Sequence, residues 1–585
     1  MNAPATRPVV ERTFATHDGV DIFYRHWPAS GTPRGAIVLL HRGHEHSGRI
    51  AHLADEMGLA DFDCFAWDAR GHGRSPGARG YSPSLGTSVR DVQTFVDHLG
   101  AVHGFGPESI AIIAQSVGAV LAATWVHDYA PPIRALVLAS PAFKVKLYVP
   151  FARAGLALMY RLRGLFFVNS YVKARFLTHD PARIASYDAD PLVTRPIAVN
   201  ILLQLYETSA RIVADAAAIT VPTQLLVSGS DWVVHHAPQH AFFDALGSAV
   251  KERHVLRGFF HDTLGEQDRR VAIDEARAFV LRAFEHPPRR VDLAQADRAG
   301  FTHDEAAALA RPLEPSSPRA LYWSITRAGL KLAGMLSDGV RLGHATGFDS
   351  GSTLDYVYRN RPSGRTRLGR LVDSNYLNAV GWRGIRQRKL HVEELLRDAM
   401  RRLRAAGRPV RIVDIAAGHG RYILEAIEAS DAPAEAVLLR DYSELNVREG
   451  RALIAQKGME RIARFERRDA FDRSSLAAIV PSPTIGVVSG LYELFTDNDA
   501  VGRSLAGLHD ALEPGSFLVY TGQPWHPQLE FVARALTSHR GGAAWVMRRR
   551  TQAELDQLVG AAGFRKVAQR IDEAGIFTVS LAERT

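Results

Sequence analysis

Short runs of apolar residues alternate along this chain with longer stretches whose apolar positions recur every three or four residues. In the first half the apolar runs predict strands at 36–40, 64–67, 110–114, 135–139 and 223–228. Fully apolar strands that alternate with helices are typical of a parallel sheet covered on both faces by helices. The first half is therefore predicted to be an α/β domain.

A helical, apolar and basic stretch at 143–220 interrupts this alternation. An insertion at this point is predicted to form a cap over the carboxyl edge of the sheet. Residues 286–318 then become rich in proline and arginine, which predicts a linker. The first domain is accordingly expected to span residues 1–285.

The alternation returns in the second half, with predicted strands at 410–415, 436–440, 462–468, 485–489 and 516–521. We predict a second α/β domain over 410–585, preceded at 319–409 by a basic helical lead-in.

Within the lead-in, residues 321–342 predict one amphipathic helix. Its apolar stripe consists of Leu321, Ile325, Ala328, Leu332 and Leu336. A stripe of this kind is expected to pack on its own domain, and the alternative is a helix lying on an anionic membrane.

Length and composition agree with two globular domains. The 585 residues exceed the roughly 250–300 at which single cores stop growing. A content of 46% hydrophobic and 23% charged residues is ordinary for a globular protein.

The single cysteine, Cys64, excludes an intrachain disulfide. Since neither a signal peptide nor a membrane-spanning run is predicted, we expect a cytoplasmic protein.

The net charge of +9 is concentrated between the two predicted sheets, where residues 287–411 carry 23 basic and 12 acidic side chains, a local charge of +11. This excess favours an anionic partner, and one interpretation is peripheral contact of the segment with anionic membrane at its inner face. The other interpretation is a solvated basic face. Nucleic acid is not an expected partner, because the sequence contains no Asp/Asn-Pro-Pro-Tyr/Phe-type base-methylating motif and no RNA-binding module.

Ser116 lies in Ala-Gln-Ser-Val-Gly, directly after the predicted strand at 110–114 and before a helical stretch. A serine on a sharp strand-to-helix turn projects outward, as a nucleophile must. In such folds a carboxylate and then a histidine follow along the chain, each after a strand. Asp231 and His261 meet this order. We predict that the three residues form a catalytic triad.

Charge that develops on an acyl oxygen needs backbone N–H donors. One donor is expected from Val117, directly after the nucleophile. The other is expected from Gly43 in the loop after the first apolar run, with Arg42 as the second choice. No metal site is predicted, because His44 and His46 lack a third ligand at suitable spacing.

Three further motifs accompany the triad: His-Arg-Gly-His-Glu-His-Ser-Gly-Arg at 41–49, Asp-Ala-Arg-Gly-His-Gly-Arg-Ser at 68–75 and Asp-Ala-Asp-Pro-Leu at 188–192. Together they resemble the monoacylglycerol lipase and lysophospholipase group of α/β-hydrolases. The resemblance implies that the cap forms a lid and an acyl tunnel, and that the substrate is a lipid-like small molecule, an ester with one acyl chain. At Arg42, where the group usually has glycine, the side chain is a candidate for altering the acyl-oxygen site or for contacting an anionic head group.

A glycine-rich turn follows the first strand of the second domain, in Val-Arg-Ile-Val-Asp-Ile-Ala-Ala-Gly-His-Gly at 410–420. The small residues Ala416, Gly418 and Gly420 let a nucleotide-like cofactor approach the backbone. Dinucleotide binding is the alternative. Asp414 favours S-adenosylmethionine (SAM), because a carboxylate repels a pyrophosphate and attracts a sulfonium and an amino group.

Two acidic residues after the next strands fit the same cofactor. Asp441 ends the second strand, where a carboxylate holds both ribose hydroxyls. Asp469 ends the third strand and is expected to bind the adenine amino group. This pattern resembles the Rossmann-like class I methyltransferases over about 350–585, and the whole chain resembles a bacterial arrangement in which such a domain is fused behind a hydrolase. The resemblance implies SAM as cofactor.

The preferred hypothesis is a bifunctional enzyme that cleaves a lipid-like acyl ester at Ser116 and transfers a methyl group in its second half, to an acceptor that the sequence leaves open. Three residues at strand ends are candidates for orienting that acceptor or for acting as base: Tyr492, Glu493 and His526. Two alternatives stand beside it. In the first alternative, the second half is an RNA methyltransferase that uses the basic segment. In the second, it is a non-catalytic module that senses SAM or docks to membrane.

Overall fold

A computed structural model of the chain describes residues 7–287 and 289–585. The molecule divides into two compact units, Met1–Val291 and Asp292–Thr585. Among the described residues, no helix combines the length and the apolar character that crossing a bilayer requires.

The segment predicted as a linker, 286–318, does not lie between the two units, because most of it belongs to the second unit. The N–H of Leu293 donates to Gln557 at 2.9 Å, and Thr302 Oγ1 accepts from Arg548 at 3.0 Å. Arg548 is buried, and a buried guanidinium needs several acceptors. The segment supplies two of them, the Thr302 hydroxyl and the Ala296 carbonyl at 3.3 Å, which ties it to the second unit.

Ten strands lie within the described residues 7–287: β1 (Val10–Ala15), β2 (Asp21–Trp27), β3 (Ala36–Leu40), β4 (Asp63–Trp67), β5 (Ile110–Gln115), β6 (Ala135–Ala139), β7 (Phe167–Asn169), β8 (Pro196–Ala198), β9 (Thr223–Ser228) and β10 (Lys251–Leu256). Eight of these form one sheet in the order β1-β2-β4-β3-β5-β6-β9-β10, parallel from β4 to β10 and antiparallel at the β1–β2 edge. Strands β3 to β6 and β9 are buried throughout, as their apolar sequences predict. The predicted α/β-hydrolase fold is confirmed.

The helices of this unit are α1 (Ser47–Ile50), α2 (Leu53–Glu56), α3 (Leu85–His103), α4 (Val117–Tyr129), α5 (Ala152–Arg163), α6 (Pro181–Ala189), α7 (Val199–Ala214), α8 (His236–Ala245) and α9 (Arg270–Glu285). Single 3₁₀ turns lie at Pro107–Ser109, Ala174–Phe176, Ala216–Ala218 and Thr263–Gly265.

The insertion at 143–220 contains α5, α6, α7 and the two-stranded ribbon β7–β8. It bonds to loops at the carboxyl ends of the sheet strands. The N–H of Thr194 donates to the His44 carbonyl at 2.8 Å, after β3, and the N–H of Asp262 donates to the Leu177 carbonyl at 2.7 Å, after β10. The insertion therefore covers the edge of the sheet at which the predicted triad lies.

The second unit, described in full from 292 to 585, has seven strands: β11 (Arg411–Asp414), β12 (Ala436–Asp441), β13 (Ala463–Arg467), β14 (Ile485–Val488), β15 (Phe517–Gly522), β16 (Phe564–Ile571) and β17 (Thr578–Arg584). Their order is β13-β12-β11-β14-β15-β17-β16, parallel except for β17, which runs antiparallel to both neighbours. The strand order reverses between β11 and β14, which is where doubly wound sheets bind ligands. This confirms the predicted Rossmann-like fold.

Its helices are α10 (Phe301–Ala310), α11 (Pro318–Leu336), α12 (Asp338–Thr346), α13 (Gly351–Arg359), α14 (Arg367–Leu377), α15 (Val380–Ala405), α16 (Arg421–Glu428), α17 (Glu444–Gln456), α18 (Arg473–Ala477), α19 (Asn498–Ala511), α20 (Leu529–Ala535) and α21 (Gln552–Ala561), with a 3₁₀ turn at Tyr492–Leu494. Helix α15 buries Leu395, Leu396 and Ala399 in the core that covers one face of the sheet.

The helix predicted at 321–342 is two helices, α11 and α12. Ser337 ends the first, and its hydroxyl accepts from the N–H of Val340 to cap the second. A serine hydroxyl that satisfies a free N–H in this way favours a new helix start over continuation of the old helix.

The expectation that the apolar stripe packs on its own domain is wrong for four of its five members, the small Ala328 and three large side chains. Leu321, Ile325 and Leu332 are 62%, 64% and 62% exposed. Helix α11 instead buries Trp323 and Gly334, which lie on its other side. The apolar stripe of the sequence is thus an exposed surface.

Candidate active sites

Ser116 occupies the sharp turn between β5 and α4. Its φ of 56° and ψ of −115° lie outside the regions that a non-glycine residue usually adopts. The turn packs closely on the neighbouring loop, because a Cβ on Gly118 would lie 2.4 Å from the His41 carbonyl oxygen. The serine side chain is therefore held at the carboxyl end of β5.

The structure brings Ser116, His261 and Asp231 together in one hydrogen-bonded series. Ser116 Oγ lies 2.7 Å from His261 Nε2, and His261 Nδ1 lies 2.7 Å from Asp231 Oδ2. All three side chains are buried. The series joins loops that follow β5, β9 and β10.

Asp231 is held as a carboxylate. Its Oδ1 accepts from the N–H groups of Val233 at 2.7 Å and Val234 at 3.0 Å. Burial alone would raise its pKa, but His261 and these two amides outweigh burial and lower the pKa below its usual value. An ionised carboxylate at this position fixes the imidazole with Nδ1–H towards Asp231 and the Nε2 lone pair towards Ser116.

The loop after β3 lies beside the nucleophile. A Cβ on Gly43 would be 3.1 Å from Val117 Cγ2, so the two predicted N–H donors belong to adjacent pieces of backbone. Arg42, the candidate for contacting an anionic head group, is paired with acidic side chains of the protein itself. Its Nε and Nη2 each lie 2.7 Å from the Glu45 carboxylate, and Asp262 is 3.9 Å away.

The glycine-rich turn of the second unit follows β11 as predicted. Gly418 and Gly420 have φ of 58° and 77°, in the left-handed region that favours glycine. A Cβ on Gly420 would lie 2.4 Å from Leu439 Cδ1, so only glycine fits there without a shift.

Asp414 lies fully buried beneath this turn. Its Oδ2 accepts from the Tyr422 hydroxyl at 2.6 Å and its Oδ1 from the Ala416 N–H at 3.1 Å. Burial raises the pKa of Asp414 to about 7, despite both hydrogen bonds.

Asp441 is also brought to the turn. Its Oδ2 accepts from the N–H of Gly418 at 2.9 Å, and burial raises its pKa above the usual value. Asp469 differs. Its side chain is exposed, and Oδ1 accepts from the N–H of Phe471 at 2.9 Å in its own loop. The structure therefore joins Asp441 to the turn, whereas Asp469 lies at the rim of the sheet.

Helix α13 covers the turn, which the sequence analysis missed. Asp355 pairs with Arg421 at 2.5 Å, and Ser352 Oγ lies 3.2 Å from His419 Nε2. A cavity of about 30 Å³ lies between this helix and the turn. Ser350, which caps α13, is the one local signal for the helix, and it gives no indication of what the helix packs on.

A second and larger cavity, of about 300 Å³, lies between the lead-in helices and the carboxyl ends of β14 and β15. Glu493 and His526 line it, as the sequence analysis allowed. Tyr492 does not, because its hydroxyl bonds to Ser504 at 3.1 Å inside the protein. Sequence reasoning missed Arg388 and Gln523, which also line the cavity and are buried.

Two family models match the chain. The family described as "Putative methyltransferase" matches residues 276–584, and the family described as "Serine aminopeptidase, S33" matches residues 31–268. The two matches divide the chain in the same way as the two sheets.

Similar proteins include one that covers nearly the whole chain. "Uncharacterized protein YnbC" of Escherichia coli is 58% identical over 98% of this chain and 98% of its own. A monoacylglycerol lipase of Mycolicibacterium smegmatis is 28% identical over 46% of this chain and 96% of its own. The solved monoacylglycerol lipase of Paleococcus ferrophilus is 23% identical, covers 48% of this chain and 99% of its own, and superposes with a TM-score of 0.40.

Proposed function

Because this chain belongs to the "Putative methyltransferase" family and carries an α/β-hydrolase unit ahead of that domain, we propose that it is a bifunctional enzyme. Its first unit is a serine esterase for a lipid-like acyl ester, and its second is a SAM-dependent methyltransferase. The observation that carries the first half is the hydrogen-bonded series from Ser116 through His261 to Asp231.

In the first unit, Ser116 Oγ attacks the ester carbonyl carbon while His261 Nε2 takes the hydroxyl proton. The N–H groups of Val117 and Gly43 receive the charge that develops on the acyl oxygen. His261 then donates its proton to the leaving alcohol, and the acyl group stays on Ser116. A water molecule, deprotonated by His261, releases the acid and restores the serine.

The choice of a lipid-like ester is supported by the cap and by relatives. The cap carries large exposed apolar side chains, among them Phe151 at 89% and Leu162 at 75%, on and beside α5. An apolar surface of this extent next to a hydrolytic site is suited to an acyl chain. A similar protein is a monoacylglycerol lipase, so a monoacylglycerol or lysophospholipid is the proposed substrate class.

The second unit has residues that fit SAM. The turn is built of small residues with two glycines at positive φ, and Asp414 and Asp441 bring carboxylates to it that suit the cationic and hydroxyl groups of SAM. When bound, SAM supplies a methyl group on a cationic sulfur. The protein aligns the acceptor with that group, which is the main requirement of such a transfer. Asp469 is proposed to contact the adenine amino group from the rim of the sheet.

The apolar face of α11 and its basic surroundings support peripheral contact with an anionic membrane. Leu321, Ile325, Leu332 and Met335 are exposed on α11, and Leu368 and Leu371 on α14, which packs beside it. The segment around them, 287–411, carries the charge of +11. An apolar stripe within basic surroundings is typical of a helix that lies in a membrane interface.

The two halves are tested with paired variants of the purified full-length chain. Ser116→Ala is expected to abolish release of fatty acid from monoacylglycerol and to leave SAM binding unchanged. Asp441→Asn is expected to weaken SAM binding in titration calorimetry and to leave ester hydrolysis unchanged. Hydrolysis that survives in Ser116→Ala would overturn the first half, and a wild type that binds no SAM would overturn the second.

A further inference from the structure

The larger cavity of the second unit has an apolar body. Trp382 and Ile385 of α15 line it, with Phe531 of α20, Met547 and Phe577. Helix α11 contributes Leu330 and Ala333 from the side opposite its exposed stripe. A preformed apolar cavity of about 300 Å³ with a few polar groups at one end is typical of a binding site for a small molecule with an apolar part.

The polar end of this cavity lies beside the cofactor turn. Gly490, which follows β14, lines it, and the preceding residue, Ser489, lines the small cavity over the turn. Leu354 of α13 lines both cavities. A molecule whose apolar part fills the larger cavity therefore presents its polar end to the cofactor site.

Glu493 is positioned to receive a proton at this end. Its Oε1 accepts from the Thr521 hydroxyl at 2.9 Å, and Thr521 Oγ1 in turn accepts from the N–H of Gly490 at 2.8 Å. Within the described part of the chain, Glu493 Oε2 and Gln523 Nε2 are buried and have no hydrogen-bond partner. Buried polar atoms are nearly always bonded, so this acceptor and this donor, both from residues that line the cavity, point to a ligand with a polar group.

His526 is a donor here and not the base. Its Nδ1 accepts from the N–H of Gln528 at 3.0 Å, which leaves the proton on Nε2. Burial lowers the pKa of His526 to about 4, so the ring is neutral at ordinary pH.

The charges at the polar end favour a neutral acceptor group. Arg388 Nη1 lies 3.8 Å from Glu493 Oε1, and both side chains are buried, so the pair is close to neutral. A carboxylate acceptor would lose its hydration without gaining an uncompensated positive charge, because Arg388 is already paired with Glu493. Asp349, the other carboxylate that lines the cavity, is occupied by hydrogen bonds from the Ser538 hydroxyl and the His539 N–H, both at 2.6 Å. An ammonium acceptor would therefore lose its hydration without gaining a free carboxylate. A hydroxyl meets neither cost and donates to Glu493 Oε2.

We propose that this cavity binds the methyl acceptor as an alcohol with an apolar chain, and that Glu493 removes its hydroxyl proton. The inference rests on the proposed methyl transfer and names its substrate class. In the step, the acceptor oxygen bonds to the methyl carbon while the carbon–sulfur bond breaks, with its electron pair left on sulfur. The hydroxyl proton goes to Glu493 Oε2 and then to water. The products are a methyl ether and the thioether of the donor.

The chain-length requirement is tested by calorimetric binding of 1-butanol, 1-hexanol and 1-octanol to the purified full-length protein without cofactor. Each added methylene is expected to tighten binding about two- to fourfold. Ile385→Trp, which fills the cavity, is expected to weaken 1-octanol binding at least about tenfold. If Ile385→Trp fails to fold, Ala333→Phe on α11 fills the cavity instead. The matched control is Leu390→Trp, at an exposed position of α15, the helix that also carries Ile385. Affinity independent of chain length, or unchanged in both filled variants, would overturn the proposal.

The acceptor group and the base are tested with SAM carrying a deuterated methyl group and with 1-octanol, octanoate and octylamine as acceptors. Methyl octyl ether is expected as the main product in mass spectrometry. Glu493→Gln is expected to lower its formation by about 10²- to 10⁴-fold and to leave 1-octanol and SAM binding within about threefold. Glu513→Gln, an exposed glutamate, is the control. Preferred methylation of octanoate or octylamine, or full activity in Glu493→Gln, would contradict the inference.

Failure of the inference is distinct from failure of the proposed function. If SAM binds and Asp441→Asn weakens that binding, but alkanols neither bind nor react, the acceptor class alone is wrong. If SAM does not bind at all, methyl transfer is wrong, whatever the cavity holds.

Discussion

Arg42 and Glu45 form a bidentate ion pair within the loop that follows β3, with two nitrogen–oxygen distances of 2.7 Å. Both side chains are buried, at 4% and 0% exposure. Burial opposes the charge on Arg42, but Glu45 and Asp262 outweigh it and raise the pKa of the guanidinium. Arg42 stands where the hydrolase group that the sequence resembles usually has glycine. Its pair with Glu45 stabilises the loop that carries Gly43.

Replacing Arg42 by glycine is therefore expected to destabilise this protein, although it restores the usual residue of the group. Arg42→Gly leaves Glu45 buried without its main partner, a change that costs about 3–5 kcal/mol of unfolding free energy. Arg74→Ala, which removes an exposed pair with Glu11, is expected to cost less than about 1 kcal/mol. Urea unfolding of the two variants measures the difference, and equal losses would contradict it.

Neutralising the triad carboxylate is expected to impair hydrolysis without disturbing the fold. Asp231→Asn keeps the size of the side chain but favours the wrong imidazole tautomer, which lowers kcat about 10⁴-fold. Asp244→Asn, at an exposed position of α8, is expected to stay within about twofold of wild type. Initial rates with a soluble aryl ester compare them, and a loss of less than tenfold in Asp231→Asn would count against the triad.

A methyl group on Gly420 is expected to damage the cofactor turn. Gly420→Ala adds a Cβ 2.4 Å from Leu439 Cδ1 at a φ of 77°, so turn and strand must shift. SAM binding is expected to weaken at least about tenfold. Gly458→Ala has a similar positive φ but open space around the new Cβ, so it tests backbone strain alone. Titration calorimetry separates the two, and equal SAM affinities would show that the turn tolerates the group.

SAM affinity is expected to rise as pH increases from 6 to 8. The pKa of Asp414 is raised to about 7 in the folded protein, so the carboxylate forms only as pH rises through this range and then attracts the cationic cofactor. The same group lowers stability as pH rises from about 4 to about 7, because the unfolded state has lost a proton there that the folded state still holds; above about 7 both states are ionised and stability falls no further through this group. Asp414→Asn removes both effects. Parallel affinity profiles for wild type and Asp414→Asn would contradict this assignment.

A charge on the exposed face of α11 is expected to weaken membrane association. Ile325→Glu and Leu332→Glu each remove an apolar side chain and add a negative charge, so binding to vesicles of phosphatidylglycerol and phosphatidylcholine should fall about tenfold. Leu390→Glu, on the exposed side of α15, serves as control. Co-sedimentation at two salt concentrations separates the apolar from the electrostatic contribution to vesicle binding, because the attraction between basic side chains and anionic lipid weakens at high salt. No binding by wild type, or equal binding by all variants, would exclude the contact.

The residues that follow strict local rules were predictable from the sequence. Ser116 had to lie between a buried strand and a helix, and Asp231 and His261 had to follow it in that order. Gly418 and Gly420 marked a turn whose backbone needs positive φ. The turn signals at Ser116, Gly418 and Gly420 each lie within about ten residues, whereas Asp231 and His261 were assigned from the order of triad residues along an α/β-hydrolase chain.

Features that depend on distant partners were not predictable in this way. Half of the residues of the edge strand β1 are polar and all but one are exposed, so its sequence lacks the apolar run that identified the central strands. Helix α13 covers the cofactor turn through Asp355 and Arg421, which are 66 residues apart. The exposed stripe of α11 shows the same limit, because an amphipathic pattern gives the period of a helix but not the side that packs.

The hydrogen bond from the N–H of Thr194 to the carbonyl of His44 joins the cap to the residue next to Gly43. A cap that swings outward must either break this bond or draw the loop along with it. Any movement of the cap at Thr194 is thus coupled through this bond to the backbone next to Gly43, the proposed donor to the acyl oxygen.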